Sequence, residues 1–235
     1  RVLFRSGGTL TLSATAAGVT LPAGGLTLNG TGISGGGALI NSSSTGATYA
    51  GLVTLGSSTS IVGGAGTIAL SNAGTLSGSG FDLTLSGAAG GSIASIIGTG
   101  TGTVTKTGTG TWTLTAANTY TGATTISDGK LALSGSGSIA TSSGVSSSGA
   151  GVLDIAGTTS GATIKTLSGS SGASTGVVLG GQTLTLSNAS GTYDGVIGGT
   201  GGGLTLSAGT QTLTGANTYT GATTVGGGTL QAGSA

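Results

Sequence analysis

Short segments in which aliphatic residues alternate with Thr or Ser recur along the whole chain: TLTLS from Thr9, LTLNG from Leu26, LVTLG from Leu52, TIALS from Thr67 and LTLSG from Leu83. WTLT from Trp112, KLALSG from Lys130, VLDIAG from Val152, TLTLS from Thr183 and TLQAG from Thr229 continue the series. A period of two puts the aliphatics of each segment on one side and its hydroxyls on the other, the pattern of a half-buried strand. Gly-rich runs such as Gly35-Gly36-Gly37 and Gly226-Gly227-Gly228 separate the segments and supply the positive-φ positions that tight corners need. No stretch carries the apolar stripe of a helix. One strand-and-turn unit cannot bury its own apolar side, whereas a stack of units can. The pattern therefore predicts an all-β chain folded as a right-handed parallel β-helix, a solenoid with about 20 residues per coil and roughly eleven coils.

Repeats set the larger organisation. Residues 113–122 read TLTAANTYTG and residues 212–221 read TLTGANTYTG; ATTISDGKLAL at 123–133 then aligns without a gap on ATTVGGGTLQA at 222–232. All four Tyr stand in Thr-Tyr-x-Gly, at Tyr49, Tyr120, Tyr193 and Tyr219. Recurrence at equivalent repeat positions points to corner packing for Thr119, Tyr120 and Gly122 and for their counterparts Thr218, Tyr219 and Gly221. Asn118 and Asn217, just before each Thr-Tyr pair, are placed to form an internal amide ladder or to close the turn through backbone bonds.

Composition narrows the chemistry. Gly accounts for 55 of the 235 residues, and Gly, Thr and Ser together make up more than half of the chain. With no His and no Cys, a Ser–His–Asp triad, a Cys nucleophile, a disulfide and the usual zinc or haem sites are all excluded. Five basic residues cannot build the positive face that nucleic acid requires. Only 3% of residues are aromatic, so the expected core is a narrow axis of aliphatics no larger than leucine. Residues 1–6 (RVLFRS) match nothing later in the chain and read as the translation of a common sequencing adapter, a non-native segment set aside in reading the fold. Residues 7–235 then form the repeat region, expected to be an interior piece incomplete at both ends.

The runs VTKTGTGTWTLTAANTYTGATTISDGKLAL at 104–133 and LTLSAGTQTLTGANTYTGATTVGGGTLQAG at 204–233 resemble the autotransporter-associated β-strand repeat. The second copy departs from the pattern, with Leu206-Ser207 in place of the Lys and one residue deleted. The resemblance implies the passenger of a bacterial surface protein, secreted and displayed outside the cell by a C-terminal membrane β-barrel elsewhere in the full protein. Members of that family serve as adhesins, autoaggregation factors or stalks. It therefore implies a non-enzymatic scaffold with no cofactor and no metal, whose partners would be copies of itself or host or matrix glycans and proteins. Nucleic acid binding and direct membrane insertion of this segment are not expected.

Other chemistries remain as alternatives. Polysaccharide-degrading β-helices use clustered carboxylates, and stacking could bring Asp128 and Asp154 onto neighbouring coils, although Asp128-Gly129 also reads as a tight turn. Every second residue from Thr99 to Thr115 is Thr, as in an ice-binding solenoid, but the run is interrupted by turn-forming Gly. Trp112 is the candidate glycan contact, since its ring could stack on a pyranose. The sequons at Asn29, Asn41 and Asn188 match the glycosylation pattern and read as incidental in so Ser/Thr-rich a chain.

Overall fold

The computed structural model describes residues 2–3, 8–12, 20–21, 24–172 and 174–233. Every strand pairing among them is parallel, strands meeting those of the neighbouring windings. The result is a parallel β-solenoid of about nine turns, fewer than the eleven expected. The windings are uneven and on average longer than the sequence pattern suggests. In the nine-stranded sheet the winding from Thr111 to its register partner Lys130 is short, whereas the one from Thr20 to Thr48 is swollen by a long loop. Val2–Leu3 pairs with Leu26 and Thr27, and the remaining residues of 1–6 lie outside the described set.

Three sheets carry the windings, of fifteen, nine and four strands among the described residues. One winding runs through Leu83–Ser86, Gly90–Ile93 and Ile96–Gly98, the first and third in the fifteen-stranded sheet and the second in the nine-stranded one, after which Val104–Lys106 returns beside Leu83–Ser86. The long strand Val53–Gly63 bends round a corner: its start pairs with Leu26, Thr27 and Leu28, its later part with Leu83–Ser86. The helical content of the described residues is the short 3-10 turn Ile33–Gly35.

Alternation works as the sequence predicts. Leu83 and Leu85 are fully buried while Thr84 and Ser86 are half-buried on the outside. Each inward Leu or Ile contributes about 1.5–3 kcal/mol of hydrophobic stabilisation, repeated along the axis. The core is not purely aliphatic, however. Trp112, Tyr120 and Tyr193 are among its largest fully buried side chains. For Trp112 and Tyr193 a narrow axis makes room because glycine stands beside the ring. Gly91 is the register partner of Trp112, and a Cβ there would come within 3.0 Å of the indole ring.

The two copies of the long repeat do not sit on the same sheets. Val104–Lys106 lies in the fifteen-stranded sheet and its counterpart Gly203–Leu206 in the four-stranded one. Thr111–Leu114 lies in the nine-stranded sheet and its counterpart Thr210–Leu213 in the fifteen-stranded one. The repeat spacing is not a whole number of windings, so the second copy is displaced by one face.

Candidate functional site

The Thr-Tyr-x-Gly corners are interior joints. Tyr120 is fully buried; its hydroxyl shares a hydrogen bond of 2.7 Å with Thr124 Oγ1, which in turn lies 2.9 Å from Ser142 Oγ. Burial pushes the Tyr120 phenol far above its ordinary range. Tyr219 makes the same bond to Thr223, also 2.7 Å, on a more exposed winding. Thr119 and Thr218 donate their backbone N–H groups to Ile97 and Ile197 of the preceding winding, at 3.0 and 2.9 Å.

The glycine of the motif has two different reasons. At Gly122 and Gly221 a Cβ would strike carbonyl oxygens of the winding before, those of Gly102 and Gly202. At Gly195 it would strike the ring and hydroxyl of the motif's own Tyr193, and at Gly51 it would strike both the Gly24 carbonyl oxygen and Tyr49. Tyr49 reaches the carbonyl of Gly24, whereas the buried Tyr193 hydroxyl lacks a well-formed hydrogen bond within the described structure.

Asn118 closes its turn through the backbone and builds no amide ladder. Its Oδ1 accepts from the Ile97 N–H at 2.9 Å, and its Nδ2 donates to Ala116 O at 3.0 Å and Ser138 O at 2.9 Å. One side chain thus ties three consecutive windings. Asn217 repeats the first of these bonds, accepting from the Ile197 N–H at 2.9 Å.

Trp112 is not a glycan contact. It is fully buried, with its indole N–H donating to Ser86 O at 2.9 Å, so no sugar reaches its face. The alternation in TWTL points Trp112 the same way as Leu114, and that parity is what buries it. Asn41 is also fully buried, its amide donating to Thr45 O and Thr67 O, which excludes a glycan there.

The acidic residues are each engaged locally. Asp128 Oδ1 accepts from the Gly129 N–H at 2.7 Å, as a turn residue does. Asp154 takes the Lys130 ammonium at 2.7 Å on one oxygen and the Ala156 N–H at 2.9 Å on the other. Asp82 accepts the N–H and hydroxyl of Thr103, both at 2.8 Å, which lowers its carboxyl below the usual range. Asp194 is bonded by Thr214. No group of three or more metal-binding side chains occurs among the described residues.

Lys106 is the residue whose role the sequence reading missed. It is fully buried, and its ammonium donates to three carbonyl oxygens: Thr107 at 2.8 Å, Gly108 at 2.6 Å and Asp128 at 3.0 Å. Burial pushes its ammonium down to about 8 against the opposing pull of Asp128. The signal was present in VTK, where the period of two puts Lys106 on the side of Val104.

The Thr run from Thr99 to Thr115 forms no single array. Thr99 is fully buried, Thr105 stands on one sheet, and Thr111 and Thr113 stand on the next after a corner. Hydroxyls instead line up across windings. Thr84, Thr105, Thr125, Ser146 and Ser168 are successive register partners on the fifteen-stranded sheet. Thr163, Thr185, Thr205 and Thr224 form another column on the four-stranded sheet.

Comparison with known proteins gives one family. The model of the passenger-associated-transport-repeat matches residues 104–133 and 206–232. No curated protein and no solved structure matches the chain.

Proposed function

Starting from two passenger-associated-transport-repeats carried on a parallel β-solenoid, we propose that this chain is a segment of an autotransporter passenger, exported to the cell surface and acting there as a non-enzymatic stalk or adhesive scaffold. The observation that carries the reading is the coincidence of the repeat matches with consecutive windings: residues 104–133 span strands that stack directly on one another. In this reading the solenoid is right-handed and the membrane barrel belongs to another part of the protein. The four Asp side chains support a scaffold role, because each is held by neighbouring donors. Contact with partners would run through uncharged hydroxyl-bearing faces, either to copies of the chain or to matrix glycans and proteins. Sparse charge leaves little repulsion to oppose such packing.

The test is display. Fused between an export signal and a barrel translocator, the chain should reach the cell surface, become accessible to added protease and make the cells sediment faster. Retention inside the cell would contradict the passenger reading. Display without faster sedimentation or matrix adhesion would leave a stalk and remove the adhesive role.

A further inference from the structure

On one stretch of the fifteen-stranded sheet the hydroxyl columns are two abreast. Thr84, Thr105, Thr125 and Ser146 are register partners on four consecutive windings, and Ser86, Thr107, Ser127 and Ser148 follow two residues on, the last three immediately after the strands end at Lys106, Ile126 and Ser147. The second column keeps register through backbone bonds from Thr107, Ser127 and Ser148 to Leu85, Lys106 and Ile126, each 2.9–3.0 Å long. The windings from Thr84 to Thr105, from Thr105 to Thr125 and from Thr125 to Ser146 are nearly equal in length, and their strands pair without a bulge. None of the eight side chains is charged, and the threonines among them are stiff at χ1.

We propose that this patch is an ice-binding face. Its rows repeat at about 4.8 Å between windings, and positions i and i+2 of a strand stand about 6.6 Å apart. Hydrogen-bonded water oxygens lie about 2.75 Å apart; tetrahedral bonding then sets second neighbours about 4.5 Å apart and repeats the puckered layers about every 7.3 Å. The protein net therefore departs from the ice net by about 0.3 Å per winding, and four rows stay within about 1 Å of register. An electrically neutral lattice that repeats in two dimensions matches a neutral patch that does the same. The net ends where its positions change character: Val62 stands in the second column on one side, and Gly169 turns to positive φ on the other. This inference goes beyond the passenger reading and does not depend on it.

The experiment is thermal hysteresis together with adsorption to a growing ice hemisphere, using the whole chain. The wild type should depress ice growth above a buffer control. Thr105→Lys/Thr125→Lys should lose the effect to the buffer level, while Thr185→Lys/Thr205→Lys on the four-stranded sheet should retain it. The single variant Thr105→Lys replaces the double variant if circular dichroism shows that the double one is unfolded. A folded wild type without hysteresis or adsorption overturns the proposal. Equal loss in both sets of variants, or binding to a neutral crystalline polysaccharide with none to ice, overturns it as well.

Discussion

Lys106 stands in register with Leu85 on the neighbouring winding, and both side chains point into the core. In the unfolded chain the lysine keeps its ordinary value of 10.5, whereas in the fold its ammonium titrates at about 8. Between those values the unfolded state holds more protons, so stability should rise with pH over that window, by on the order of 2–3 kcal/mol. Above about pH 10 the unfolded chain begins to ionise tyrosines that the fold keeps protonated, Tyr120 foremost, and stability should fall. Urea melts at a series of pH values would trace this maximum. Lys106→Leu should remove the rise and keep the fall, since Leu206 already fills the counterpart position in the other repeat. A rise that survives in Lys106→Leu would contradict the assignment.

The two kinds of glycine corner respond differently to the same substitution. Gly195→Ala and Gly122→Ala should both destabilise, by about 1–3 kcal/mol through overpacking. Only the first should be partly relieved by Tyr193→Phe, because only there does the new methyl meet a tyrosine side chain. Tyr193→Phe alone should be neutral or slightly stabilising, since the hydroxyl removed is poorly bonded. Tyr120→Phe should cost about 1 kcal/mol by breaking the bond to Thr124. Thermal melts of these variants and the double mutants decide it.

Asn118→Ala leaves the buried N–H of Ile97 without its acceptor and should cost about 1–3 kcal/mol. Asn217→Ala removes the matching bond on a more exposed winding, where water can replace it, and should cost less. Equal costs in chemical denaturation would sink the distinction.

Trp112 is the sole tryptophan, so its fluorescence reports the core alone. Emission should be blue-shifted, shielded from acrylamide and indifferent to added oligosaccharides. Trp112→Ala should cost about 3–5 kcal/mol. Quenching by a glycan would show that the ring is reachable after all.

Much of this fold is written in the alternation of segments such as LTLS and in the recurrence of ANTYTG. Those features act along the chain, where sequence is read directly. What stayed hidden acts across windings. The number of turns depends on loops that stretch the winding between Thr20 and Thr48 and leave the one between Thr111 and Lys130 short. The burial of Trp112 depends on Gly91, a residue of the winding before. The hydroxyl net that pairs Thr105 with Thr84 and Thr125 is invisible until the register is known, whereas the conspicuous Thr run at 99–115 is scattered round corners. The one-face displacement of the second repeat follows from the same varying lengths.

The register of stacked windings is open to a direct chemical test, because the chain has no cysteine of its own. Thr105 and Thr125 are register partners on the same outer face, about 4.8 Å apart, within the span a disulfide bridges. Thr105→Cys/Thr125→Cys should oxidise to an intramolecular disulfide in the folded protein, whereas Thr105→Cys/Ile126→Cys should not, since Ile126 points into the core. Failure of the first pair to close, or equal closure of both, would contradict a parallel solenoid in this register.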